Sequence, residues 1–250
     1  MKLSIQVKLI LTVLVGMLVW GWLHYYIQQR EILPSYLRQE ERIVREQALH
    51  VRELLDYKLK ELDRFCYDWA AWDDTYEFIQ THDSAYIESN LGYTTFRNNN
   101  LNLIHYMNNA GEKVWHGFYN LETGKPYAND EFWSRSQWDL EEEPFLQIEG
   151  VEDSATGLIK LKQGVMLLAA RPILRSSAVG EMRGRIIMGR LLKGEVSTYI
   201  TQHMRNEVEF IPWTKAEASR DDEELAVLRR GEVSCTPAED NDAYLCGCIA

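Results

Sequence analysis

One eleven-residue stretch, residues 68–78, concentrates the side chains that could do chemistry: Asp68-Trp69-Ala70-Ala71-Trp72-Asp73-Asp74-Thr75-Tyr76-Glu77-Phe78. Carboxylates among aromatic rings fit a metal site, an acid/base pair, or a cage for a cationic ligand. The alternative is structural, with the tryptophans packed in a core and the aspartates capping a helix or facing solvent. Adjacent helical residues point about 100° apart, so Asp73 and Asp74 alone do not form the carboxylate pair of a glycosidase.

The other polar residues supply no catalytic motif. The six histidines are scattered without metal-ligand spacing. His105 and His116 could face each other across a hairpin, either in a ligand site or as ordinary sheet residues. The sequence has no Gly-rich phosphate loop, dinucleotide fingerprint, nucleophile elbow or metalloprotease pair. We therefore expect no cofactor, no bound metal and no enzymatic activity in this chain.

The composition excludes several classes of protein. The 27 basic and 38 acidic residues give a net charge of −11. A chain this acidic is unsuited to neutralising nucleic-acid phosphates, so no nucleic-acid partner is expected. Hydrophobic residues at 46% and aromatic residues at 11% exclude general disorder. What remains is a globular protein with an acidic surface rich in aromatic residues.

Residues 9–27 form an apolar run without charge apart from the titratable His24. Nineteen helical residues span about 28 Å, close to the thickness of a bilayer core. Lys2 and Lys8 precede the run, which predicts a cytoplasmic N-terminus. A cleavable signal peptide is the alternative, but the run lacks small residues at a cleavage site. We predict that residues 1–29 anchor the chain in the inner membrane with a single pass, and that the rest is extracytoplasmic.

A long amphipathic stalk helix is predicted over residues 30–80. Apolar or small residues recur in a 3-4 rhythm among charged ones, with Glu41 and Lys58 as misfits in the apolar seam. The seam consists of Leu37, Val44, Ala48, Val51, Leu55, Leu62, Phe65, Trp69, Trp72, Tyr76 and Ile79. It could pair with a second copy in a homodimer or dock on the domain that follows. Such a helix could carry a displacement between that domain and the membrane.

An antiparallel sheet is predicted beyond the helix. Two β-like segments, 101–108 and 113–119, flank the hairpin-turn residues Asn109-Ala110-Gly111. Further strands are predicted at 157–161, 165–173, 185–192 and 208–211, loops at 86–91 and 98–100, and helices within 129–146 and at 194–205. One helix feeding an antiparallel sheet with a helical insertion is the α+β class.

These features together resemble one family of sensory domains. The resemblance rests on the anchor, the long helix, the 68–78 string, residues 102–115, Ala170-Arg171-Pro172-Ile173 and Gly184-Arg185-Ile186-Ile187-Met188-Gly189-Arg190. They are similar to the fourth class of cyclase/histidine-kinase-associated sensory extracellular (CHASE) domains, over roughly residues 60–211. The resemblance implies a PAS/Cache-like input domain at 81–211 that acts on a cytoplasmic diguanylate cyclase, phosphodiesterase or histidine kinase. Its ligand would be an unknown small molecule.

A set of ligand-binding or signal-coupling residues is expected from the motif and the resemblance. They are Trp69, Trp72, Asp73, Tyr76, His105, Trp115 and Arg171. The expected mechanism is a ligand-linked shift of a dimeric helix. Two other functions stay open: a membrane-tethered scaffold that binds a periplasmic protein, and a hydrolase that uses the carboxylates.

Residues 212–250 form an acidic, polar segment that departs from the family plan. No second apolar span and no output domain follows in the sequence, so we expect a truncated receptor. The three cysteines of this segment could have no role of their own. Cys235 could instead form a disulfide with Cys246 or Cys248 on an oxidising side of the membrane, whereas a metal site would lack a fourth ligand. Cys66 is predicted to be a small buried apolar residue of the helix.

Overall fold

The structure, a computed structural model, describes residues 4–128, 132–140, 144–148, 150, 152–177, 180–204, 234–237 and 244–247. The chain divides into two compact units. One comprises Met1–Leu49 and Val227–Ile249, and the other comprises His50–Ala226 with Ala250.

The first unit begins with a helix whose side chains are all exposed. Helix α1 (Ile5–Ile27) starts after Ser4, and a π-helical turn (Gln28–Ile32) joins it to helix α2 (Leu33–Ala70). Among the residues that the structure describes, this continuous helical stretch is the one long and apolar enough to cross a membrane. An uncovered apolar helix of this length is stable in lipid rather than in water, which fits the predicted anchor.

A six-stranded antiparallel sheet forms the centre of the second unit. Its strands are β1 (Leu103–Asn108), β2 (Lys113–Asn120), β3 (Lys125–Pro126), β4 (Ala155–Leu161), β5 (Gly164–Pro172) and β6 (Gly184–Leu191), in the spatial order β3-β2-β1-β6-β5-β4. The helices packed with it are α3 (Asp73–Thr81), α4 (Ser84–Asn90), α5 (Tyr93–Asn98) and α6 (Glu195–His203). The predicted α+β class is confirmed, and the five long strands begin and end within two residues of their predicted bounds.

One face of the sheet, which we call the stalk face, is covered by α2. Leu55, Leu62 and Cys66 of α2 share a core with residues from β1, β5 and β6. Cys66 is fully buried, and its thiol lies 3.6 Å from the carbonyl oxygen of Ala169. Burial raises the pKa of this thiol, so it stays protonated and packs as the small apolar residue predicted.

The opposite face of the sheet is covered by the connection between β3 and β4. Trp133, Trp138 and Ile148 of this connection pack on alternate residues of the same strands. His105 lies on this face and is fully buried. Burial lowers its pKa to about 3, with smaller contributions from neighbouring cations, so the imidazole is neutral at physiological pH.

Three local predictions differ from the structure. The helix predicted over 30–80 is interrupted, because α2 ends at Ala70 and α3 begins at Asp73. The loop predicted at 86–91 falls largely in α4, whereas 98–100 consists of the last residue of α5 followed by a turn. The described part of 129–146 contains turns and a short 3-10 helix rather than an α-helix. Helices of six or seven residues are too short to show a periodic pattern in sequence.

A two-stranded hairpin lies near the C-terminus. Strand β7 (Ser234–Pro237) pairs with β8 (Tyr244–Gly247), and the register sets Cys235 directly opposite Cys246. The disulfide between these two cysteines stays a prediction. Cys248 and the strand predicted at 208–211 lie outside the described residues.

The glycine at the start of β6 permits close contact between two strands. Gly184 pairs with Asn108, and a Cβ atom on it would overlap the carbonyl oxygen of Met107. Gly157 on β4 is different, since a Cβ atom there would meet no atom within 4 Å. The first glycine is therefore a packing requirement, and the second is not.

We predict that Gly184→Ala destabilises the protein by about 1–3 kcal/mol, because the backbones of β1 and β6 must separate. Gly157→Ala, the matched control, should stay within about 0.5 kcal/mol of the parent. Thermal unfolding of the full chain in detergent, followed by circular dichroism, measures both. Equal midpoints for the two variants would contradict the packing argument.

His105 should make the protein less stable in acid. Below its ordinary pKa of 6.5 the histidine gains a proton in the unfolded chain, but not in the folded chain until about pH 3. Stability present above pH 6.5 is therefore lost as the pH falls, by about 1.4 kcal/mol per pH unit. Between pH 7.5 and 5.0 we expect the free energy of unfolding to fall less for His105→Gln than for the parent. The free energy of unfolding of the exposed control His50→Gln should fall as it does for the parent. The same pH dependence in all three proteins would refute this assignment.

Candidate signal-coupling site

The residue string that first suggested chemistry lies at the junction between two helices. Trp72 separates α2 from α3 and has an extended backbone, with φ −112° and ψ 130°. The carbonyl oxygen of Ala70 at the end of α2 accepts a hydrogen bond of 2.9 Å from Leu174 N, in the loop that follows β5. The string therefore lies where the stalk helix meets a loop that leaves the sheet.

Three motif side chains hold this loop between β5 and β6. Asp73 Oδ1 accepts a hydrogen bond of 3.0 Å from a backbone N–H of the loop. The ring of Tyr76 contacts two guanidinium groups, at 4.6 Å from Arg175 and 3.8 Å from Arg183. The carboxylate of Glu77 lies 3.3 Å from each of these arginines. Charge-assisted and cation–π contacts thus fasten α3 to the loop.

The motif carboxylates are engaged in these contacts with the loop. Asp73 and Glu77 bind backbone and guanidinium groups of the loop. No three His, Cys, Asp or Glu side chains within the described ranges are grouped to hold a metal ion. The geometry is that of a structural clamp.

A chain of aromatic rings leads from the junction into the sheet. Trp69 and Trp72 meet edge to face at 6.2 Å between ring centroids, and Trp72 lies 6.1 Å from Tyr86. Tyr86 stacks on Phe78 at 4.4 Å, and its hydroxyl lies 3.2 Å from that of Tyr106 on β1. Burial raises the pKa of both tyrosines, which therefore stay neutral hydrogen-bonding groups. Ring and hydroxyl contacts therefore connect Trp72, which is 37% exposed, to strand β1 of the sheet.

Two ion pairs connect α2 directly to strands of the sheet. Arg171 Nε on β5 donates to Asp63 Oδ1 at 2.7 Å, and Nη2 donates to Oδ2 at 2.5 Å. These hydrogen bonds raise the pKa of Arg171. Arg190 Nη1 on β6 donates to Glu61 Oε1 at 2.5 Å, and Lys58 Nζ donates to Glu61 Oε2 at 2.9 Å. Burial alone would raise the pKa of Glu61, but its two cationic partners outweigh burial and lower it.

The other two predicted residues lie further from the junction. Trp115 is on the stalk face, 6.4 Å from the ring of Tyr106. His105 is on the opposite face, where it stands opposite His116 with ring centroids 6.0 Å apart, as the hairpin predicts. The seven predicted residues therefore do not form one site: six lie on the stalk side of the sheet, and His105 lies behind it.

The sequence reasoning missed the polar residues that lie between the stalk helix and the sheet. Glu61, Asp63 and Arg190 were not among the candidates, although they form the ion pairs. One signal was available, because Lys58 interrupts the apolar seam of the helix. A charged residue in an otherwise apolar stripe requires a partner when it is buried, and here the partner is Glu61.

Comparison with known proteins places this geometry among sensory domains. The chain is 27% identical over 140 residues to the methanogenesis regulatory histidine kinase FilI of Methanothrix harundinacea, which covers 56% of this chain and 16% of that protein. The chain thus spans about a sixth of the length of this relative.

The fold is also similar to that of a solved domain from a signalling protein. A domain of a sensory box/GGDEF family protein from Vibrio parahaemolyticus matches with a TM-score of 0.54 and 10% identity, over 81% of this chain and 88% of that one. The sensory domain of the Campylobacter jejuni chemoreceptor Tlp3 matches with a TM-score of 0.46 and 11% identity, over 83% and 87%. At 10% identity the likeness to the Vibrio domain concerns the fold alone.

A protein-family model gives the most specific match. It is described as the CHASE4 domain, and it covers residues 54–211, more than half of the chain. The matched range begins in the part of α2 that packs on the sheet and includes the helix junction, both ion pairs and all six strands. This chain belongs to the CHASE4 domain family.

Proposed function

We propose that this chain is the extracytoplasmic input part of a membrane receptor, and that it passes a ligand-linked movement of α2 to a cytoplasmic output. In this proposal residues 1–29 anchor the chain in the inner membrane, and residues 30–80 form the stalk with the helix junction at its end. Residues 81–211 form the sensory domain. The stalk pairs with a second copy.

The proposal rests on one observation: helix α2 is packed on the sheet and is also continuous with the helix of the predicted anchor. The helix packs on the sheet through a buried stripe that includes Leu55 and Leu62, and it is tied there by Asp63 and Glu61. Each fully buried leucine contributes about 1.5–3 kcal/mol. The same helix follows α1 with a single π-helical turn between them. A change in how the sheet holds α2 is therefore a change in the helix that leads to the anchor.

Six of the predicted residues have contacts suited to coupling. Trp69, Trp72, Asp73 and Tyr76 connect the end of α2 to the sheet and to the loop after β5. Arg171 ties α2 to β5, and Trp115 packs beside Tyr106. A ligand drives the movement to the extent that it binds one helix arrangement more tightly than the other.

The output is proposed from the relatives. The matched protein from Methanothrix harundinacea is a histidine kinase, and the matched Vibrio structure comes from a GGDEF family protein. A histidine kinase, diguanylate cyclase or phosphodiesterase in the receptor would receive the movement. The sensory domain itself then needs no catalytic residue.

We predict the topology of the chain from the charges before α1. Fusion of alkaline phosphatase after residue 204 should be active in cells, because this enzyme folds only outside the cytoplasm. Green fluorescent protein fused at the same position and exported through the same pathway should be dark. The reverse pattern would place the sensory domain in the cytoplasm and end the proposal.

We predict that the stalk pairs through its apolar seam. Val44 lies on that seam, and Glu46 lies about 160° around the helix. In membranes, with Cys235, Cys246 and Cys248 replaced by serine, Val44→Cys should form an oxidative cross-link between two chains. Glu46→Cys, the matched control, should cross-link far less. Equal cross-linking at both positions would argue against a defined dimer of the stalk.

The same cross-link reports whether the sheet controls the stalk. Asp63→Asn weakens the bidentate pair with Arg171, while Asp56→Asn removes an exposed carboxylate from the same helix. In the Val44→Cys background we expect the first substitution to change the cross-linking rate several-fold and the second to leave it unchanged. If a folded Asp63→Asn protein cross-linked at the same rate as the parent, the sheet would not control the pairing of the stalk.

A further inference from the structure

The helix that leads from the predicted anchor into the stalk changes its hydrogen bonding at residues 28–32. At the start of this turn, Gln28 N–H donates to the carbonyl oxygens of His24 and Tyr25, as in an α-helix. At its end, Leu33 N–H donates to the carbonyl oxygen of Gln28, five residues earlier. A π-helical turn of this kind contains one residue more than an α-helical turn. All of these residues belong to the first compact unit.

Pro34 provides the physical reason for the wider turn. Proline has no N–H to donate, and in an α-helix its ring would clash with the carbonyl group of Arg30, four residues earlier. Widening the turn before the proline makes room for the ring. Ser35 Oγ donates to the carbonyl oxygen of Ile32 at 2.7 Å, which adds a hydrogen bond to the backbone of the same turn. The sequence Pro34-Ser35 therefore favours the π-helical turn at this position.

The extra residue changes the rotational relation between the two helices. Successive residues of an α-helix are about 100° apart, so one additional residue rotates all later side chains by about 100° around the axis. Leu18 and Tyr36 are 18 positions apart. In an uninterrupted α-helix this separation is about five full turns, and both side chains would lie on the same side. With the π-helical turn between them, they point in different directions.

The membrane end of α1 carries a column of side chains that suits the membrane–water interface. Trp22 and Tyr26 stack with 5.6 Å between ring centroids, and the guanidinium of Arg30 lies 5.7 Å from the centroid of Tyr26. Aromatic rings and long cationic side chains favour the interface, so this column fixes the depth of the predicted anchor. The turn that follows the column then determines rotation rather than depth.

From these observations we propose that residues 28–34 form a rotational joint, in which Pro34 holds the anchor about one residue out of phase with the stalk. The joint determines which side of α1 continues the apolar seam of α2 that contains Val44. Converting the joint into α-helix rotates the anchor against the stalk by about 100°. In a paired receptor this rotation changes which faces of the two anchors meet. That consequence rests on the proposed function, whereas the offset between the helices does not.

The experiment measures distances between two spin labels within one chain by pulsed electron paramagnetic resonance in lipid nanodiscs. Cysteines for labelling replace Leu18 and Tyr36 in one protein, and Leu18 and Arg38 in another. Both are made in the serine-substituted background used for cross-linking, where the remaining Cys66 is fully buried. Labelled chains are diluted with unlabelled chains, so that distances between two copies do not contribute.

Pro34→Ala should convert the joint into continuous α-helix, because alanine supplies the missing N–H and has the highest helix propensity. The label at position 36 then moves to the side of position 18, and the label at position 38 moves almost opposite to it. We expect the 18–36 distance to shorten and the 18–38 distance to lengthen, each by a few ångströms. Leu33→Ala, the matched control that retains the proline, should keep both distances of the parent.

The opposite signs of the two changes distinguish a rotation from a bend. If Pro34 only kinked the helix, its replacement would straighten the helix and lengthen both distances. Unchanged distances in Pro34→Ala, two changes of the same sign, or the same changes in Leu33→Ala would each overturn the proposal. These distances depend neither on a ligand nor on pairing of the stalk. The phosphatase fusion and the Val44→Cys cross-link test the proposed function separately.

Discussion

The packing of one stripe of α2 on the sheet is the constraint from which the other features follow. Leu62 and Cys66 are fully buried there, and Ala70 ends the helix against the loop after β5. Protein cores are packed as tightly as organic crystals, so this contact cannot deform gradually. A packed helix moves between discrete positions instead. That property suits a sensory domain, because in the proposed mechanism a small change at the sheet becomes a defined displacement of the helix.

The residue string at the helix junction serves this packing. Trp72 interrupts the helix, and Asp73 and Asp74 begin the next helix, where the N-terminal end of the helix dipole favours negative charge. Asp73 and Tyr76 then hold the loop from β5 against α3. The residue types that first suggested catalysis are those needed to turn a chain sharply and fix the turn. Aromatic rings fill the volume at the corner, and carboxylates satisfy the exposed N–H and guanidinium groups around it.

The sequence predicted those features that depend on local pattern. The strands carry runs of apolar residues bounded by turn residues, and hairpin geometry alone sets His105 opposite His116. It did not predict α4, a helix of seven residues that is capped by Asp83 and buries Tyr86. Nor could it pair Asp63 with Arg171, which are 108 positions apart. Such a pair depends on the register between a helix and a strand, and no short window of sequence contains both partners.

The polar contacts between α2 and the sheet have a role that the apolar stripe cannot fill. Leu55, Leu59 and Leu62 recur every three or four residues, so a shift of one turn again sets apolar side chains against the sheet. Burying charges brings little net stability, because desolvation offsets their attraction. A shift of one turn, about 5.4 Å, would nevertheless remove Asp63 from Arg171 and Glu61 from Arg190 together. The ion pairs therefore distinguish one helix position from the next, and whatever alters them alters the relative free energies of those positions.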